Sequence, residues 1–269
     1  MSASPAVSTP PAGELLSLAG ATALVTGAGK GIGEAVARRF AEAGARVAVA
    51  DVDVAAGQTV VESVVRAGGT ARLYPLDVSD PVQDAATVRS VVREWGRLDV
   101  LVNNPGIFPF SPAAGTTPAL WDRVFATNLR GAFFLAQAAV EPMQRAGGGA
   151  IVNIASIDAI RPTGNLAHYD ASKAALAMLT RSLALELAPV GIRVNAVAPG
   201  AIDTPGARSA LGTSGPMPPE LLERFLSGIP QHRMGTPDEI ARVVLFLSAP
   251  ASSYVTGSMV VADGGYLLS

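Results

Sequence analysis

The 269-residue sequence contains no cysteine. Disulfides and thiolate metal sites are therefore excluded. Two histidines are too few for a histidine-rich metal site, and no metal is expected. Charge is sparse and nearly balanced: 20 Lys and Arg stand against 22 Asp and Glu, a net charge of −2. With no basic block, nucleic acid is not expected as a partner. No uninterrupted apolar run reaches the roughly 18 residues that a membrane span needs. The opening residues have neither Lys nor Arg nor a long apolar stretch, so they do not read as a signal peptide. A cytoplasmic location without a membrane partner is the expectation. What the chain does have is apolar residues, at 49%. That is enough to bury a sizeable core, in one large α/β domain or two small ones.

Residues 1–17 are rich in Pro, Ser and Ala and read as a flexible arm. From residue 18 onward, apolar strand-like runs alternate with helical patterns. There is no internal repeat and no second domain boundary. Strands are predicted at 21–26, 46–50, 71–76, 98–102, 150–156, 191–197 and 256–262. Such near-continuous apolar runs suit parallel strands covered on both faces. Helices are predicted at 34–44, 55–67, 81–95, 118–143, 169–189, 219–226 and 237–247. The stretch 118–143 reads as one long helix with Asn128 inside it. Residues 203–219 carry several Pro and Gly and read as a loop, and the region 203–228 is placed to cover a ligand.

The first strand runs into Thr26-Gly27-Ala28-Gly29-Lys30-Gly31-Ile32-Gly33 and then a helix. Glycines let the backbone turn tightly and let a pyrophosphate approach the free N–H groups at the helix start. The spacing departs from the strict G-x-G-x-x-G pattern, so by itself it only suggests a dinucleotide site. The second strand ends in Asp51, near the ~20-residue offset at which an acidic residue hydrogen-bonds the adenosine ribose. A carboxylate there accepts from both ribose hydroxyls and repels a 2′-phosphate, so NAD is expected over NADP. Lys30 pulls the other way, because a cation in the turn suits that phosphate. Asp53 is the rival carboxylate, or else simply starts the next helix. Asp77, at the end of the third strand, either reaches an adenine amino group or serves as a turn residue.

A second cluster lies further on. Ser156 ends the fifth strand, and Tyr169 and Lys173 follow at a spacing of four. On a helix that spacing puts both on one face, a turn apart. A phenol titrates near 10 and is a poor acid or base at neutral pH. A neighbouring ammonium stabilises the phenolate and makes proton transfer feasible. Taken alone, such a pair is more often a surface pair on a helix, and it is the surrounding pattern that changes this reading.

These motifs together resemble the classical short-chain dehydrogenases/reductases over nearly all of residues 18–268. The matching residues are Thr26 through Gly33, Asp77, Asn103-Asn104-x-Gly106, Asn128, Ser156, Tyr169-x-x-x-Lys173 and Pro199-Gly200. The resemblance implies a single Rossmann domain with a doubly wound, mostly parallel seven-stranded sheet flanked by helices. It implies a nicotinamide cofactor held by Gly27, Lys30, Gly31, Ile32, Gly33, Asp51, Asp77, Val78, Asn104, Gly106, Tyr169, Lys173, Pro199, Gly200, Ile202 and Thr204. Tyr169 would exchange the proton. Lys173 would lower its pKa and bind the ribose. Ser156 would hold the substrate oxygen, and Asn128 would hold a helix distortion and a relay water. A homotetramer is implied as well. One departure stands out: Pro105 occupies a position where the family usually has Ala, and it removes a backbone N–H beside the cofactor.

Phe108, Phe110, Ile157, Ala159, Leu166, Met217 and Phe225 are the expected substrate-pocket residues. They are mostly apolar and form no cation cluster, so a secondary alcohol or ketone of apolar character fits best. Arg161 and His168 are polar exceptions, expected to be surface or structural. Two alternatives remain: an NADPH-dependent 3-oxoacyl-type reductase, and a dinucleotide sensor without turnover. The intact Ser156, Tyr169, Lys173 and Asn128 argue against the sensor.

Overall fold

The computed structural model describes residues 10–210 and 219–269. Its elements alternate along the chain: β1 (Thr22–Thr26), α1 (Gly31–Glu42), β2 (Arg46–Asp51), α2 (Val54–Arg66), β3 (Thr70–Pro75), α3 (Pro81–Trp95) and β4 (Val100–Asn103). Then come α4 (Pro118–Phe125), a π-helical turn (Ala126–Arg130), α5 (Gly131–Arg145), β5 (Gly149–Ile154), α6 (Ala167–Leu187) and β6 (Ile192–Pro199). The chain closes with α7 (Pro205–Ala210), α8 (Pro219–Ser227), α9 (Pro237–Ser248) and β7 (Met259–Ala262).

The strands form a seven-stranded sheet in the order β3-β2-β1-β4-β5-β6-β7. Each neighbouring pair is parallel, so the sheet is parallel throughout rather than mostly so. All residues of β1 and β4 are buried, as the apolar runs required. One core layer packs Val36 and Phe40 of α1 and Val244 and Leu247 of α9 against one face of the sheet. The other packs Val88 and Val91 of α3, Leu135 of α5 and Leu183 of α6 against the opposite face. This is the Rossmann arrangement, and the chain order reverses between β1 and β4, where such sheets bind ligands.

Local chemistry sets the helix ends. Asp53 caps α2 by accepting from the Ala56 N–H, and Asp80 caps α3 ahead of Pro81. Thr236 and Glu239 form a reciprocal capping box on α9. The long helix predicted over 118–143 is two helices joined by the π turn, and α5 runs on to Arg145. Part of the predicted loop 203–219 is the short helix α7. Residues 1–9 of the predicted arm lie outside the described residues. Residues 12–14 form a 3₁₀ turn, and the Leu15 carbonyl accepts from the Ala251 N–H at 2.9 Å. Among the described residues, no helix is long and apolar enough to cross a membrane. Among them, too, there is no group of three or more His, Cys, Asp or Glu arranged to hold a metal ion.

Candidate active site

The glycine turn leaves β1 with Gly27 and Gly31 at positive φ, 58° and 63°, a region that L side chains rarely adopt. Gly33 is required for a different reason. A Cβ there would lie 2.2 Å from the Gly27 carbonyl oxygen. The Asn104 amide donates to the carbonyls of Thr26 and Gly27, at 3.2 and 2.9 Å. It ties the loop after β4 to the turn after β1. Among the described residues no side chain caps α1, so its first N–H groups are left for an anion.

Asp51 is buried at the end of β2. One carboxylate oxygen accepts from the Gly29 N–H at 2.7 Å and the other from the Asp53 N–H at 2.8 Å. The rival Asp53 is occupied as the α2 cap. Asp77 accepts from the Ser79 N–H at 2.9 Å, the turn role foreseen for it, and it also borders the cavity.

At the other end, Ser156 follows β5, and Tyr169 and Lys173 occupy successive turns of α6. Lys173 is buried and its Nζ donates to the Ile154 carbonyl at 2.7 Å. Burial lowers its pKa to about 8, with the Asp158 charge opposing the fall. The ammonium lies 5.8 Å from the centre of the Tyr169 ring. The Tyr169 phenol sits above its ordinary value. Burial is the main cause, Asp158 and Asp170 add to it, and a hydrogen bond with Ser156 works against it. The lowering of this pKa expected from Lys173 is therefore not displayed by this arrangement, in which Lys173 is turned to the backbone of β5.

Asn128 sits in the π turn, fully buried. Its Oδ1 accepts from the Ile107 N–H at 2.9 Å, and its Nδ2 donates to the Ile107 carbonyl and to Ser172 Oγ, each at 3.0 Å. Ser172 in turn donates to the Tyr169 carbonyl at 2.7 Å. The distorted helix is thus stitched to α6 beside the phenol. Just past the turn, a Cβ on Gly131 would lie 2.2 Å from the Val78 carbonyl oxygen.

One cavity of about 620 Å³ joins the two ends. It is bordered by Gly27, Lys30, Gly31, Ile32, Asp51, Asp77, Val78, Asn104, Gly106, Ser156, Tyr169, Lys173, Pro199, Gly200, Ile202 and Thr204. Gly33 and Asn128 stand behind its wall. Phe108, Phe110, Leu166 and Phe225 line it as expected, whereas Ile157 and Ala159 do not. Met217 lies outside the described residues. Pro105 forms part of the wall. His168 is buried and hydrogen-bonded to the Pro109 carbonyl at 2.9 Å, and Arg161 reaches the carbonyls of Tyr266 and Ser269. Both are structural. Thr127, Asp158 and Met234 line the cavity without having been singled out in the sequence. The glycine cradle, the open helix start and the volume of the cavity fit a dinucleotide.

A family model described as enoyl-(acyl carrier protein) reductase matches residues 27–267. The chain belongs to the short-chain dehydrogenase/reductase family. An uncharacterized oxidoreductase of Thermotoga maritima is 41% identical, over 91% of this chain and 97% of its own length. A cyclopentanol dehydrogenase of Comamonas is 37% identical, over 90% and 95%. The solved structure of 7α-hydroxysteroid dehydrogenase complexed with NADH and 7-oxo glycochenodeoxycholic acid matches with a TM-score of 0.90 at 35% identity, covering 95% of this chain and 98% of that one. As a short-chain dehydrogenase/reductase, the protein is an oxidoreductase of a family that binds a nicotinamide dinucleotide and acts on alcohols and ketones.

Proposed function

We propose that the protein interconverts a secondary alcohol and its ketone, mainly apolar in character, with NAD(H) as cofactor and Tyr169 as the acid/base. The observation that carries this reading is the single cavity with Asp51 and the glycine turn at one end and Ser156, Tyr169 and Lys173 at the other. A nicotinamide cofactor, when bound, would supply the hydride chemistry. Gly27, Gly31 and the first turn of α1 would receive its diphosphate, and Asp51 would accept from the adenosine ribose. Tyr169, which holds its proton at neutral pH, gives it to the carbonyl oxygen during reduction and takes it back during oxidation. Lys173 places positive charge near the nicotinamide ribose, and Ser156 stabilises the oxygen where charge develops. Asn128 keeps the π turn open for a relay water. The phenylalanines and Leu166 exclude bulk water from the reacting carbon. Dehydrogenases of cyclopentanol and cyclohexanol among the relatives support an apolar alcohol.

A second reading is an NADPH-dependent 3-oxoacyl reductase. It is favoured by the exposed Lys30 at the cavity edge and by a 39%-identical 3-oxoacyl-(acyl-carrier-protein) reductase of Thermotoga maritima. The deciding experiment follows nicotinamide absorbance with a panel of secondary alcohols and ketones, offering NAD(H) and NADP(H) separately. Turnover with NAD and apolar alcohols is expected. Turnover with NADPH and 3-oxoacyl thioesters alone would overturn the first reading. The working form is inferred to be a cytoplasmic homotetramer, which a mass from light scattering tests.

A further inference from the structure

Among the described residues, Asp158 is the one carboxylate hydrogen-bonded to the Ser156 hydroxyl. It lines the cavity, and its position follows from the 3₁₀ turn Ile157–Ala159, which folds the chain back immediately after Ser156. Ser156 Oγ lies 3.1 Å from Asp158 Oδ2 and accepts from the Asp158 N–H, also at 3.1 Å. Thr163 Oγ1 donates to the other carboxylate oxygen at 2.6 Å. A serine hydroxyl has a single hydrogen to give. In this arrangement it is directed to a carboxylate, which is a stronger acceptor than a neutral carbonyl or alcohol oxygen. The hydrogen that should stabilise the reacting oxygen is therefore already committed. Ser156 and Thr163 each hold one of the two carboxylate oxygens, so a donor arriving at Oδ2 competes with the Ser156 hydroxyl for it.

We propose that Asp158 selects substrates bearing a hydrogen-bond donor next to the reacting carbon, namely vicinal diols and the matching hydroxyketones, on an otherwise apolar frame. The inference rests on the dehydrogenase reading above. The neighbouring hydroxyl donates to Asp158 and releases the Ser156 hydrogen, which then turns to the reacting oxygen. A mono-alcohol offers Asp158 nothing, so Ser156 stays directed away. A carboxylate or phosphate at the same position is repelled. Asp158 is thus a positioning and specificity residue, while proton transfer stays with Tyr169. In oxidation the carbinol hydrogen leaves as hydride to the cofactor and the hydroxyl proton passes to Tyr169, and the second hydroxyl is unchanged.

The test compares cyclohexanol with the 1,2-cyclohexanediols in the wild type, Asp158→Ala and Asp158→Asn. In the wild type, kcat/KM should favour a diol by about tenfold or more, the worth of one charge-assisted hydrogen bond. Asp158→Ala should lower the diol value and raise the cyclohexanol value, collapsing the ratio towards one. Asp158→Asn, which keeps an acceptor and the shape, should hold an intermediate ratio. Isothermal titration of each alcohol into the enzyme with reduced cofactor gives a readout independent of turnover, in which the diol should lose affinity in Asp158→Ala. Equal ratios in wild type and Asp158→Ala, with both alcohols oxidised, would overturn the inference and leave the dehydrogenase reading standing. Absence of oxidation for both alcohols would count against the dehydrogenase reading, and the titration would still decide the role of Asp158: unchanged diol affinity in Asp158→Ala sinks it.

Discussion

In the proposed reaction Tyr169 donates a proton, and Lys173 is close to losing one. The phenol is held above its ordinary value, and the lysine is lowered to about 8. Below pH 8 the lysine is charged, and above it the charge is progressively lost. Ketone reduction, which needs both the Tyr169 proton and the Lys173 charge, should therefore decline as pH rises through about 8. A pH profile of kcat/KM checks this, and a flat profile to pH 10 would separate Lys173 from the proton path. Replacing Tyr169 with Phe should cut turnover about 10²–10⁴-fold while cofactor binding by fluorescence titration stays near wild type. Turnover close to wild type would remove Tyr169 from the chemistry. The spacing of four between these residues made the pair legible, because on a helix only i,i+3 and i,i+4 neighbours meet. Asp158 was not legible. Nothing in Ser156-Ile157-Asp158 announces a backbone that turns back on the serine, and a carboxylate two residues on reads equally well as a solvated loop residue.

Among the elements, the strands were easiest to read, because a parallel sheet covered on both faces leaves nearly unbroken apolar runs. The π turn was hidden. Its apolar residues continue the helical pattern of α4 and α5, and one widened turn shifts the register too little to break it. The mid-helix Asn128 was the only trace. Helix α7 is six residues long and contains Gly206, so its composition resembles a loop. Helix α3 carries an oddity of its own. Asp84 is fully buried, and neither carboxylate oxygen has a partner among the described residues. Burial raises its pKa to about 7; Asp80 and Asp77 add to the rise and Arg130 opposes it. The folded state thus holds a proton that the unfolded chain releases near pH 4. Stability from this site is present at low pH and is lost as pH climbs towards 7, by up to about 1.4 kcal/mol per unit. Urea denaturation at pH 5 and pH 8 should show Asp84→Asn gaining on the wild type at the higher pH. A difference independent of pH would mean that Asp84 is already ionised in the folded protein.

On the scale of the whole molecule, the residues with chemistry come from the C-terminal ends of strands or the helices that follow them. Parallel strands bring those ends to one edge, and the reversal between β1 and β4 opens the crevice there. This explains why widely separated motifs were readable from the sequence as one site. The depth of the cavity was not readable. Ile157 and Ala159 do not line it, and Met234 does so from a distant segment, since loop packing leaves no periodic trace in sequence. Asp51 ends β2 whereas Tyr169 and Lys173 lie on α6, so on the proposed reading cofactor choice is separable from proton transfer. Asp51→Ala should narrow the proposed preference for NAD over NADP, measured as the ratio of kcat/KM values, with little change in the pH profile. An unchanged ratio would remove Asp51 as the ribose acceptor.

Gly131 is where these scales meet. Its α-carbon abuts the Val78 carbonyl so closely that even a methyl group would sit 2.2 Å from that oxygen. Val78 borders the cavity, and Asn128, three positions before Gly131, is hydrogen-bonded to Ser172 of α6. In a library randomised at position 131 and selected for turnover, only glycine should survive. Recovery of alanine at wild-type frequency would show that the wall yields there. For anyone diversifying this enzyme towards new alcohols, the site is a fixed joint, and variation belongs in the phenylalanines and Leu166 that line the cavity.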